Sequence, residues 1–244
     1  MPGPHISLAA ETVTHLFTLP ISNSLISTWS LLLFLSVFSI WVSRHLKLIP
    51  HRLQSAVEWF LEALLGLFAS LLGADLARKF LPLLGTFFIF IILSNWSGLL
   101  PGVGTIGIYP EPSEFIPLFR APTADLNTTL ALAVVSIMSI QAAGLKGLGL
   151  NYLKKFFNFS SPVDFFVGLL EIISEISRMI SFTFRLFGNI FAGEVLLAVV
   201  AFLIPLFVPI PFLGMELFVG FIQALVFAML TATFLNLAVT KVGH

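Results

Sequence analysis

Between Val163 and Ile204 the chain runs 42 residues without a proline, and most of them are apolar. No other feature limits the fold as much. As one α-helix this run would be about 63 Å long, because each residue advances the axis by about 1.5 Å. A bilayer's hydrocarbon core is about 30 Å thick, and helices tilt by about 0–40° from its normal. The run must therefore break or lie far over in the membrane. Pro205, Pro209 and Pro211 make a turn, and a second long apolar stretch, residues 212–240, follows. Two long helices joined by so short a turn must lie against each other, which predicts a strongly tilted antiparallel hairpin.

Composition says that the surrounding medium is lipid. The chain is 58% hydrophobic and 10% charged, where soluble domains carry about 25% charged residues. Its formal net charge is zero, so no nucleic-acid partner is expected. It has no cysteine, which excludes thiol catalysis, disulfides and thiolate metal sites. His5, His15, His45, His51 and His244 fall at the ends of spans or outside them. No pair has metal-ligand spacing within a span, so neither a metal nor a cofactor is expected.

Charge placement orders the spans. Residues 24–43 carry no charge and are followed at once by Arg44, Lys47 and Arg52. The positive-inside rule then places residues 1–23 outside, as an arm, and the basic cluster in the cytoplasm. Residues 54–72 are helical by pattern, with Glu58 and Glu62 on one face and Phe60, Leu61, Leu64, Leu65 and Phe68 on another. If this helix lies flat in the cytoplasmic interface, Arg78, Lys79, Lys146, Lys154, Lys155 and Lys241 all fall inside and only Arg120 is left in an outer loop. If it spans, that bias collapses, so the interfacial placement is the expected one. Residues 80–100 form the second span, with Pro82 in its first turn and Pro101 closing it. Residues 102–125 are an outer loop rich in glycine and proline, 126–145 return to the cytoplasm, and 146–161 are a basic inner loop. The tilted helices 163–204 and 212–240 complete the chain, which ends inside. The expected fold is an all-α membrane protein with five membrane-crossing helices and one interfacial amphipathic helix, in a single membrane domain.

Within the long run sits Arg185, flanked by Phe182, Phe184, Leu186 and Phe187. An arginine in the membrane costs roughly 3 kcal/mol on insertion scales and more in simulations, and it cannot escape by losing its proton. At about 100° per residue, Glu171, Ser174, Arg178, Ser181 and Asn189 all fall within about 40° of it, forming one polar stripe. Glu194 falls on the opposite face, toward the outer turn. In the last helix Glu216 and Gln223 are seven apart and share a face, with Glu216 at the outer level of Glu194. Acids thus stand on either side of a fixed positive charge. Carboxylates at intervals can hand on a proton, and the arginine would stop one from running straight through. Plainer roles exist as well. Arg178 suits snorkelling to the interface, Glu175 suits pairing with Arg178, and Asn189 and Gln223 suit interhelical hydrogen bonds.

The residues Phe184-Arg185-Leu186-Phe187-Gly188-Asn189-Ile190-Phe191-Ala192-Gly193-Glu194 resemble the signature of the a subunits of F-type ATP synthases. Ser94-Asn95-Trp96-Ser97-Gly98-Leu99-Leu100-Pro101, Pro122 to Thr129 and Gln223 to Phe227 are similar to further blocks of that family. The resemblance implies that Arg185 faces a rotating ring of c subunits, and that b-type peripheral stalk subunits and the lipid bilayer are the other partners. It implies proton-path roles for Asn189, Glu194, Gln223, Glu171 and Ser181, and places Asn95 and Asp125 along an outer half-channel. Where some members carry a histidine seven residues before the glutamine, this chain has Glu216, which is expected to titrate together with Glu194. The implied activity is proton translocation in ATP synthesis, with no catalysis by this chain alone. A bacterial inner membrane is the expected location, although an organelle-encoded subunit would equally lack a transit peptide. Two alternatives stand beside this reading. One is a self-contained transporter or channel, which would lack the repeated halves common in transporters. The other is a non-conducting scaffold, which leaves the intramembrane charges unexplained.

Overall fold

The computed structural model describes residues 7–16, 19–111, 114–156, 161–204 and 207–240. Among them are six helices long and apolar enough to cross a membrane. These are α1 (Asn23–Arg44), α2 (Arg52–Leu72), α3 (Ala74–Ser97), α4 (Leu126–Leu148), α5 (Pro162–Leu203) and α6 (Pro209–Val239). The chain is an all-α membrane protein. Pro205, Lys241, His5 and His244, which entered the sequence argument, lie outside the described residues.

The 42-residue run does not break. Pro162 occupies the first turn of α5, where its missing N–H costs nothing, and the Ser161 hydroxyl accepts the Asp164 N–H at 3.1 Å as a cap. The expected hairpin is present. Phe182 packs on Phe234 and Phe227 of α6 at 5.9 and 5.1 Å between ring centres. Further along α5, Asn189 bonds Gln223 and Gly193 lies on Glu216. The partners step back along α6 as α5 advances, which is antiparallel packing.

Helices α3 and α6 form the centre of the bundle. Leu84 and Ile91 of α3 and Leu235 of α6 are fully buried, and Phe87 meets Phe227 edge to face at 5.4 Å. Gly220, Ala224, Ala228 and Ala232 recur every fourth residue on the buried face of α6, and such small side chains let helices approach closely in lipid. A Cβ on Gly220 would stand 3.1 Å from the Asn95 Cβ. On the α4 side, Ser136 and Thr231 share a buried hydrogen bond of 2.9 Å. Helix α1 stands largely apart. Trp29, Leu33, Phe34, Val37 and Trp41 are exposed, and only Asn23, Ser24 and Ser27 at its start are buried.

Three expectations needed correction. The helix that holds the expected second span runs from Ala74 to Ser97, so Pro82 lies inside the helix rather than in its first turn. Hydropathy stops at Asp75, Arg78 and Lys79, whereas the backbone ladder continues through them. Gly73, at φ 77°, is the sole residue between α2 and α3. The arm and the outer loop also hold regular structure. Strands β1 (Thr12–Leu16) and β2 (Leu19–Ser22) pair antiparallel, as do β3 (Gly107–Glu111) and β4 (Glu114–Pro117). The same glycines and prolines that read as loop are compatible with short two-stranded ribbons.

Helix α2 folds back along α3, so that Phe60 lies 6.1 Å from Phe88. Its end is tied to α6, because the Asn236 side-chain amide donates to the Leu71 carbonyl at 2.8 Å.

Candidate functional site

Arg185 stands on the outer surface of α5, beside exposed Phe184 and Ser181. Its Nη2 reaches the Ser181 hydroxyl at 3.4 Å. Among the described residues no carboxylate lies within ion-pair distance of it. With Ser174, Ser177, Arg178 and Ser181 it lines an open groove of about 380 Å³, closed on one side by Leu230 and Phe234 of α6. Ser174, Arg178 and Ser181 of the polar stripe read from the helical period thus share one groove with Arg185.

Toward the start of α5 the charges are balanced. Both Glu175 oxygens accept from Arg178 Nη1 at 2.9 Å, and the Arg178 guanidinium lies 3.8 Å from the centre of the Phe234 ring. Arg178 is thus paired and stacked, not merely snorkelling. Lys155, from the short 3-10 stretch Gly149–Lys155, meets Glu171 at 2.6 Å and Glu175 at 3.8 Å. Beside them Tyr152 donates to Gln141 Oε1 at 2.8 Å. Burial first, then the Glu175 and Glu171 carboxylates, push its phenol above the ordinary value, so it remains a neutral donor.

Past Arg185, Asn189 Nδ2 donates to Gln223 Oε1 at 3.0 Å, joining two sequence candidates across the hairpin. Glu216 is buried, and its carboxyl occupies the space where Gly193 has no Cβ. Its Oε1 has no hydrogen-bond partner among the described residues. Glu194 points away from Arg185, as the helical period requires, and its Oε2 lies 3.4 Å from Arg120 Nε. Glu194 and Glu216 therefore have unlike surroundings: Glu194 faces a guanidinium, and Glu216 faces the backbone of α5.

Asn95 and Asp125 are fully engaged with protein groups. Asp125 caps α4 by accepting the Asn127 N–H at 2.9 Å, and it takes the Ser24 hydroxyl at 2.5 Å, tying α1 to the outer loop. Asn95 donates to the Gly220 carbonyl at 2.8 Å and accepts from Thr123 Oγ1 at 2.6 Å. Asn95→Ala leaves the buried Thr123 hydroxyl without its partner and removes the tie to the Gly220 carbonyl, which keeps its bond within α6, a cost of about 1–3 kcal/mol. The thermal unfolding midpoint in detergent should fall; an unchanged midpoint would show that the clamp is dispensable.

Arg120, Lys155 and Gly193 were not candidates in the sequence. Arg120 had entered only as a topological marker. It was nevertheless the one base in an outer loop, opposite an intramembrane acid, and that imbalance was the available signal. Gly193 lay within the arginine block without a role of its own, and Lys155 carried no signal, since their roles follow from what folding places opposite them.

The ATP synthase A chain family matches residues 25–236. ATP synthase subunit a of Gloeobacter violaceus is 36% identical over 89% of this chain and 83% of its own length. ATP synthase subunit a of Moorella thermoacetica is 34% identical over 91% and 93%. ATP synthase subunit a 2 of a Bradyrhizobium species is 34% identical over 97% of each chain. A match over most of the length, including the arginine block, the Asn95 block and the Gln223 block, means that the chain belongs to the ATP synthase A chain family.

Proposed function

We propose that the chain is the stator half of a rotary proton path, giving a ring of c subunits two offset half-channels separated by Arg185. As a member of its family it is a multi-pass, proton-translocating membrane subunit of the F0 sector, and the ATP chemistry belongs to other subunits. The finer reading rests on one observation. Arg185 is exposed midway along an apolar helix, and a serine hydroxyl is its polar contact among the described residues. A charge that faces outward in lipid needs its counterion on another molecule, and a passing carboxylate on the ring fits that need.

In this reading Glu194 and Glu216 hand protons inward from the outer face, and Asn189 and Gln223 line the way to the ring. Glu171 and Ser181 belong to the inner half, beside the groove that Arg185 shares with Ser174 and Arg178. Asn95 and Asp125 shape the outer half by clamping α3, α6 and the loop. Arg185 keeps each passing ring carboxylate ionised, so a proton must travel with the ring to change sides. The N-terminus lies outside, the C-terminus in the cytoplasm of a cell with an inner membrane, and b-type stalk subunits hold the chain against rotation. Helix α2 lies in the cytoplasmic interface, with its Phe60 packed on Phe88 of α3.

Purification from membranes in a mild detergent tests the assignment. A ring of carboxylate-bearing subunits should accompany the chain. A stable oligomer of this chain alone would instead favour a self-contained channel, and unrelated partners would favour a scaffold.

A further inference from the structure

Beside Glu194 lies a cavity of about 240 Å³ whose walls include Ser7 and Glu11 of the arm, Arg120 of the outer loop, and Phe191 and Glu194 of α5. Arg120 is 7% exposed and holds these parts together. Its Nη1 donates to the Ala9 carbonyl at 3.0 Å and its Nη2 to the Ser7 carbonyl at 2.9 Å. Its Nε reaches Glu194 at 3.4 Å, its backbone N–H donates to Ser27 Oγ at 3.1 Å, and Phe191 lies 5.8 Å below the guanidinium. The close bonds run to the arm and the long one to the acid. A guanidinium is a rigid planar fork, so the two arm carbonyls fix where its Nε stands. Glu194, with 44% of its side chain exposed, is the less enclosed partner.

We propose that Arg120 is a positioning residue of the outer half-channel, through which the N-terminal arm controls how readily Glu194 takes up and passes on a proton. This rests on the reading of Glu194 as the outer relay. Arg120 stabilises the carboxylate when Glu194 is close and loses it when Glu194 turns away, and the carbonyls of Ser7 and Ala9 set where the guanidinium stands. Among the described residues, Glu11 lines the same cavity and Glu216 lies behind Gly193, so these two acids are the other charges placed near Glu194. The arm thereby gains a role in conduction, although it is remote from Arg185.

The test uses the complete F0 sector in vesicles, with proton uptake driven by a potassium diffusion potential and normalised to ring content. Arg120→Gln should slow uptake roughly tenfold, within the range of couplings between contacting charged groups. In a Glu194→Gln background the same change should have almost no effect. Removing residues 1–10, which takes away both carbonyls and leaves Arg120, should alter uptake only while Glu194 is present. Arg120→Lys keeps the charge but not the fork, and should fall between wild type and Arg120→Gln. If Arg120→Gln impairs assembly, the arm deletion and Arg120→Lys carry the comparison. Equal effects with and without Glu194 would mean that Arg120 only supports the fold, which overturns the inference and leaves the half-channel reading intact. Unchanged uptake in Glu194→Gln alone would instead remove Glu194 from the path, and the inference with it.

Discussion

Arg185→Ala is expected to abolish ATP-driven proton pumping while leaving the subunit folded and bound to its partners. The two halves of that expectation have separate reasons. Among the described residues the exposed Arg185 side chain has the Ser181 hydroxyl, at 3.4 Å, as its polar contact. Truncating such a residue costs a fold little, usually within about 0.5 kcal/mol. The functional cost is of another order. A positive charge about 4 Å from a passing carboxylate contributes about 4 kcal/mol at an effective dielectric of 20, and each 1.4 kcal/mol or so is a factor of ten. Without it the ring carboxylate can stay protonated as it passes between the half-channels, and protons leak without rotation. The measurement is acidification of vesicles on adding ATP, alongside passive leak of the same vesicles. Lost acidification with raised leak is the expected pair. Normal coupling in the variant would end the proposed role of Arg185.

The long hairpin was legible because length and proline position are one-dimensional facts. A run of 42 residues without a helix breaker has few choices in a slab about 30 Å thick. The polar stripe was legible because periodicity fixes faces, and it separated Arg185 from Glu194 correctly. What periodicity cannot supply is the identity of the group opposite a face. Arg120 meets Glu194 from 74 residues away, and Lys155 meets Glu171 from a loop whose course no helical rule sets. The N-terminal boundary of α3 was misplaced for a related reason. Hydropathy measures what lipid tolerates, whereas a helix continues as long as its backbone hydrogen bonds do. Asp75, Arg78 and Lys79 are within the helix and outside the apolar stretch. Asn95 and Asp125 fell in motif blocks that suggested a channel lining, and their geometry adds the clamping role that a motif does not reveal.

Gly193→Ala is the other substitution with a large expected effect, although it adds one methyl group. The added Cβ would overlap the carboxyl of Glu216, which lies directly on the α5 backbone at this point. Either the carboxyl must leave its buried place or α5 and α6 must move apart. Overpacking of this kind costs about 1–3 kcal/mol. Separation would also strain the Asn189–Gln223 bond one turn away. Assembly with the ring should therefore weaken, and proton flux per assembled complex should fall by roughly tenfold or more, as a displacement worth about 1.4 kcal/mol would give. A second change separates packing from conduction. Glu216→Ala in the Gly193→Ala chain removes the collision and should restore assembly, yet flux should stay low because the carboxyl proposed as a relay is gone. Glu216→Gln in the parent chain should assemble normally and conduct slowly. Detergent yield of the complex reads the first quantity, and vesicle proton uptake reads the second. Recovery of both in the double variant would make Glu216 a packing residue only, and recovery of neither would place the damage elsewhere on Gly193. Recovery of assembly alone would mean that this glycine is required because it holds a proton-carrying side chain against the helix that bears Arg185.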